Sequence, residues 1–164
     1  MLAFRVYGVA LPKGNMKPFI PKGMKFPIVT ESNRNVKSWQ QLVAEGASHA
    51  LQQLPEPARE LLRYGVRVSV AFYLPRPKKF HKRGVFVPHV TTPDLDKLSR
   101  AVLDAMSQVM YHDDRQVTEL VAGKYYTEVD GAACVDVRVE SAPMPIANST
   151  PLAVPRDLPL FEGA

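Results

Sequence analysis

A chain of 164 residues suits a single domain that buries about two thirds of its unfolded surface. Its hydrophobic share, 46%, is ordinary for a globular protein, and no run of about 18 apolar residues is present to span a membrane. The net charge of +5 is unevenly divided, with 15 Lys and Arg against 4 Asp and Glu in residues 1–93, and 6 against 12 in residues 94–164. A basic half joined to an acidic half suits a protein that grips a polyanion and works on it with a cation.

The first run, "LAFRVYGVAL" at 2–11, is rich in β-formers and stops at Pro12, which predicts a strand. Arg5 interrupts it and no small-residue cleavage site follows, so a signal peptide is not expected. Residues 12–34 hold four prolines, two glycines, four lysines and one arginine, and read as a long basic loop. A helix is expected from about Asn35 to Leu54, because Val36, Trp39, Val43, Ala47, Ala50 and Leu54 recur at threes and fours before Pro55. "YGVRVSVAFYL" at 64–74 alternates as a half-buried strand does, with Val66, Val68, Val70 and Phe72 on one side.

A second basic loop, 75–93, carries Arg76, Lys78, Lys79, Lys82 and Arg83. A second helix is expected from about Asp94 to Val109, with Leu95, Leu98, Val102, Ala105, Met106 and Val109 on one stripe. Residues 115–128 and 131–140 read as two strands, and Asp130-Gly131 between them predicts a hairpin with a type I′ turn. The lone Cys134 excludes an internal disulfide and suits a small buried side chain in the last strand. From Ser141 onward five prolines fall within 24 residues and periodicity ends, which predicts an extended or mobile tail. The order is β-α-β-α-β-β: an α+β domain with a mixed sheet of about four strands and two helices on one face.

The predicted second helix is bracketed by carboxylates, Asp94 and Asp96 before it and Asp113 and Asp114 after it. Capping and turn chemistry account for either pair taken alone. A helix dipole, however, disfavours acid at the C-terminal end. Asp94 and Asp96 converge only if Asp94 stays outside the regular helix, since two helical steps rotate by about 200°. Carboxylates that close repel unless a proton or a cation lies between them, and Mg²⁺ suits a few carboxylates, retained waters and phosphate oxygens. Arg100 follows Asp96 by four residues on the same face; it either pairs with Asp96 or Asp104, or sets a fixed positive charge beside a phosphate. A straight helix to Val109 is about 22 Å long, which leaves Asp114 out of reach of Asp96. Either the helix is shorter and the loop folds back, or a second subunit completes the site.

"PDLDKLSRAVLDAM…YHDDRQV" resembles the signature of the RusA family of Holliday-junction resolvases, which are common in phages and prophages. The resemblance is dense from Pro93 to Val117 and looser over 1–141, Lys124 included. It sets off residues 1–141 as a nuclease domain and leaves residues 142–164 outside as a proline-rich tail. It implies that Asp94, Asp96 and Asp114 bind the metal, Mg²⁺ or alternatively Mn²⁺, and that Asp113 is the less essential member of its pair. Arg100 stands where the family usually has a catalytic lysine, and Lys97 where it usually has asparagine. Arginine keeps the charge but hardly donates a proton. Lys97 adds a cation that would weaken metal affinity or touch the scissile strand.

The expected function is a metal-dependent endodeoxyribonuclease of DNA recombination and repair. The resemblance implies a homodimer that resolves Holliday junctions by paired symmetric nicks, leaving 5′-phosphate and 3′-hydroxyl ends, in a bacterial or phage-infected cytoplasm. Arg100 joins the three aspartates as a catalytic residue. Lys13, Lys17, Lys22, Arg76, Lys78, Lys79, Lys82, Arg83 and Lys97 would hold the DNA backbone in a salt-sensitive way. Phe19 and Phe80 either pack their own loops or stack at the junction centre. His81, His89 and His112 lack metal-ligand spacing, and no nucleophile elbow, P-loop or zinc pattern appears, so no organic cofactor is expected. The competing readings are a non-catalytic DNA-binding protein with structural aspartates, and a nuclease for other branched DNA.

Overall fold

The alternation of apolar residues at 66–74 becomes a strand whose Val66, Val68, Val70, Phe72 and Leu74 are buried, while Arg67, Ser69, Ala71 and Tyr73 are half-buried on the opposite face. In the computed structural model, residues 1–14, 16–19, 22–23, 26, 28–31, 33, 35–56, 59, 65–81 and 87–142 are described, with backbone alone for 16–19 and 28–31. The elements in order are β1 (Leu2–Tyr7), β2 (Met16–Phe19), β3 (Ile28–Glu31), α1 (Val36–Gln52), β4 (Val66–Leu74), α2 (Leu95–Met106), β5 (Val117–Tyr126) and β6 (Cys134–Ser141). Two 3-10 turns, Lys78–Phe80 and Asp114–Gln116, flank α2 in the chain.

The domain is α+β, with a mixed four-stranded sheet in the order β1-β6-β4-β5. β4 and β5 run parallel, joined by a crossover that contains α2, and β6 runs antiparallel to both β1 and β4. The apolar stripes predicted for the helices become the core. Val36, Trp39, Val43, Ala47 and Ala50 of α1 are buried with Leu98, Ala101, Val102, Ala105 and Met106 of α2, in one cluster with the β4 and β6 side chains. Cys134 is buried, as its place in the last strand predicts.

Three expectations are corrected. Residues 115–128 and 131–140 do form strands and a turn closes at 128–131, where Gly131 N–H donates to Glu128 O, but the strands do not pair. β4 lies between them. β5 carries Glu119, Gly123 and Lys124 and has no fully buried residue, which suits an edge strand. β6 buries Cys134, Val135, Val137 and Val139 and belongs inside the sheet. Secondly, the basic loop 12–34 contains a two-stranded antiparallel sheet, β2 with β3, running from Met16↔Glu31 to Phe19↔Ile28. Its prolines concealed it, since proline is tolerated only at strand edges and Pro18 lies within β2. Thirdly, α2 stops at Met106, three residues early, because Ser107 is extended and Gln108 takes a positive φ of 64°. The predicted tail beyond Ala142 lies outside the described residues.

Candidate active site

The early stop of α2 decides the geometry. Twelve residues give a helix about 18 Å long. The chain then reverses through 107–111, held by a bridge between Ser107 and Tyr111, by the Gln108 N–H on Tyr111 O at 2.8 Å, and by the Tyr111 hydroxyl on Leu103 O at 2.9 Å. Asp113 then caps the second 3-10 turn. Its carboxylate accepts from the Arg115 N–H at 3.0 Å and pairs with the Arg115 guanidinium at 3.0 Å, while Gln116 Oε1 accepts from the Asp113 N–H. These contacts hold the Asp113 carboxyl below the ordinary carboxylate range, the backbone N–H of Arg115 contributing most. Asp113 is therefore engaged in building the turn, and the exposed Asp114 is presented next to it.

The result is an open depression of about 520 Å³ between α2 and the edge strand β5. Asp96, Ser99, Arg100 and Leu103 line it from one stripe of α2, Asp114 from the turn, and Leu120 and Ala122 from β5. Asp96, Arg100 and Asp114 are exposed; Ser99 is buried, its hydroxyl donating to Leu95 O at 2.8 Å. Among the described residues the Arg100 guanidinium is paired with no carboxylate. Asp96 and Asp114 thus line one depression of one chain, with a helix shorter than expected between them.

Asp94 departs from the expected arrangement. It stands outside the helix in extended conformation, at φ −69° and ψ 137°, but its side chain makes no capping hydrogen bond. It is 2.8 Å from Lys97 Nζ instead. The hydrogen bond from Lys97, and then its charge, hold the Asp94 carboxyl below its usual range, and Asp94 raises Lys97 in return. Three carboxylates do not gather: among the described residues no group of three or more His, Cys, Asp or Glu is placed to hold a metal ion. Two do share one depression, and Mg²⁺ bound together with a phosphate needs only one or two protein carboxylates. Asp96 and Asp114 therefore fit such an ion, and Asp94 would have to leave Lys97 to join them.

The basic residues take several positions. Lys13 pairs with Asp104, and its N–H donates to Lys97 O at 3.0 Å, which fastens the first loop to α2. Arg76 is spent on carbonyls, donating to Thr127 O and Phe80 O at 3.1 Å each. Lys22, Lys78 and Lys79 are exposed. Of Lys17 only the backbone is described, and Lys82 and Arg83 lie outside the described residues, as does the side chain of Phe19. Phe80 packs on Tyr126 with ring centroids 6.0 Å apart, so local packing accounts for it.

Lys124 is the residue whose role spacing could not reveal. From β5 its ammonium donates to Thr91 O at 2.6 Å and Pro93 O at 2.8 Å, tying down the segment that ends at Asp94. The resemblance includes Lys124 without assigning it a role, and the strand places it in register with the buried Phe72.

A family model described as endodeoxyribonuclease RusA matches residues 12–140. A protein of Bacillus subtilis (strain 168), described as "Uncharacterized protein YqaN", is 28% identical over 136 residues, which span 77% of this chain and 89% of the relative.

Proposed function

This chain belongs to the RusA endodeoxyribonuclease family, and from that premise we propose that it is a divalent-metal-dependent endonuclease that nicks branched DNA, four-way junctions foremost, as a homodimer. The observation that carries the reading is one open depression lined by Asp96, Asp114 and Arg100, the last with no carboxylate partner among the described residues. Asp96 and Asp114 would hold Mg²⁺ or Mn²⁺, with Asp94 available as a third ligand once separated from Lys97. When bound, such an ion lowers the pKa of a water and polarises the scissile phosphate. Arg100 offers two parallel N–H donors to the phosphate and balances the charge that accumulates at phosphorus. The water oxygen bonds to phosphorus as the bond to the 3′ oxygen breaks, leaving a 5′-phosphate and a 3′-hydroxyl. Arginine stays protonated, so its part is electrostatic and the leaving oxygen takes its proton from water. Lys78, Lys79 and Lys22, with the other basic side chains of the two loops, supply backbone contacts that weaken as salt rises.

The test uses synthetic four-way junction, flap and linear duplex with the purified protein, in Mg²⁺ and in chelator. The wild type should nick the junction only with metal. Asp96→Asn and Asp114→Asn should each lose at least about a hundredfold in rate while keeping the circular-dichroism spectrum and junction binding. Junction binding with no metal-dependent nicking by the wild type would sink the enzyme reading in favour of a binding module. Equal nicking of all three substrates would sink the preference for junctions.

A further inference from the structure

β5 connects the carboxylate depression to a second cavity. Leu120, Ala122, Lys124 and Tyr126 share one side of the strand by its two-residue period; the first two line the depression. Past Lys124, at the far end of the strand, lies an open pocket of about 440 Å³ lined by Tyr126 and His89, by Tyr73 and Tyr125 from the opposite side of the sheet, and by Glu128. That volume is in the range of pockets that take small ligand groups. Four of its lining residues are aromatic rings, alongside Val87 and Pro88. His89 stacks on Tyr126 with centroids 4.3 Å apart, and Tyr73 lies 5.8 Å from Tyr125. Burial, with the charge of Lys124 as a lesser cause, pushes the His89 imidazolium towards its neutral form, which suits a ring used for stacking.

We infer that this pocket takes one unstacked base of the DNA strand whose phosphate lies over Asp96 and Asp114. The inference rests on the endonuclease reading above. The two cations in the wall, Arg76 and Lys124, are engaged with the carbonyls of Thr127 and Phe80 and of Thr91 and Pro93. Glu128 is a carboxylate that repels a phosphate but accepts from an exocyclic amino group. A flat, hydrogen-bonding, uncharged group fits that lining, and a base that has left its stack is such a group. The distance is compatible. From Ala122 to Tyr126 the strand rises about 13 Å, equal to about four stacked base steps of 3.4 Å, or fewer if the strand is drawn out. Unpaired or easily unstacked bases occur at the centre of a branched substrate, where the cost of extrusion is least.

The experiment is a cycle between substrate and protein. Four-way junctions carrying one abasic residue, at successive positions along each arm from the crossover, are bound in chelator to wild type, Tyr125→Ala and Tyr125→Phe, and read by fluorescence anisotropy. Tyr125 is 46% exposed, so its truncation leaves the core intact. Loss of one particular base should weaken wild-type binding about tenfold, leave Tyr125→Ala unchanged, and weaken Tyr125→Phe as it does the wild type. The inference is overturned if no single abasic position matters to the wild type, or if the loss is as large in Tyr125→Ala. Nicking of the intact junction in Mg²⁺ is scored separately. Nicking without an abasic effect sinks the pocket alone, and an abasic effect without nicking sinks the nuclease reading alone.

Discussion

Asp94 and Asp113 show how a neighbour decides what a carboxylate is available for. Asp113 is committed to Arg115 and the turn, and Asp114, next to it, is left to face the depression. Asp94 is held by Lys97 across one helical turn, in an ion pair whose partners are 52% and 37% exposed. Such an exposed pair is weak in solvent, so it competes with a metal without excluding one. Lys97→Asn should therefore raise the affinity for Mg²⁺ or Mn²⁺ about two- to fivefold, read by isothermal titration on the DNA-free protein. Unchanged or weaker binding would mean that Asp94 takes no part in the metal site. At this scale the motif made Asp94, Asp96, Arg100 and Asp114 legible as candidates. The Lys97 contact was not, because an i,i+3 spacing permits a pair without requiring it.

Elements place those residues, and the decisive ones are where α2 ends and what holds where it begins. The apolar stripe through Val109 was read correctly as core, since Val109 does pack against the cluster. Burial does not require helix, however, and Gln108 turns the chain back so that Asp114 lines the same depression as Arg100. At the other end Lys124 clasps two carbonyls of the preceding segment. Lys124→Met removes charged donors from a partly exposed site, at a cost of about 1 kcal/mol. For a chain of this length that lowers Tm by about 2–4 °C. Metal affinity should fall with it as Asp94 and Asp96 lose their anchorage. A melting temperature equal to the wild type's would show that the clasp holds nothing. The unpaired β5 and β6 are the clearest case where a local signal misled. A turn at Asp130-Gly131 forms, yet which strand lies beside which is set by burial across the whole sheet.

For the whole molecule, the position of the candidate site bears on assembly. Asp96 and Asp114 line one depression of one chain, so a second subunit is not needed to unite them. In the proposed homodimer each protomer would then carry its own centre and cut its own strand, matching a two-fold enzyme to a near two-fold junction. Mixing Asp96→Asn with Asp114→Asn protein should therefore restore no nicking, because every subunit has lost one carboxylate. Recovery of activity on mixing would place the two aspartates of a working site on different subunits. Among the described residues no helix is long and apolar enough to cross a membrane.

The sequence by itself determined which residues are candidates for the chemistry, which faces are apolar and which family the chain resembles. Each of these is written in local spacing: apolar residues at threes and fours or at twos, and aspartates at fixed offsets around a helix. Only the tertiary structure decided that α2 ends early enough for Asp114 to return, that β6 enters the sheet between β1 and β4, and that Lys97 holds Asp94. Those outcomes depend on long-range burial and on which partner wins a shared charge, and neither is encoded in any one stretch of chain.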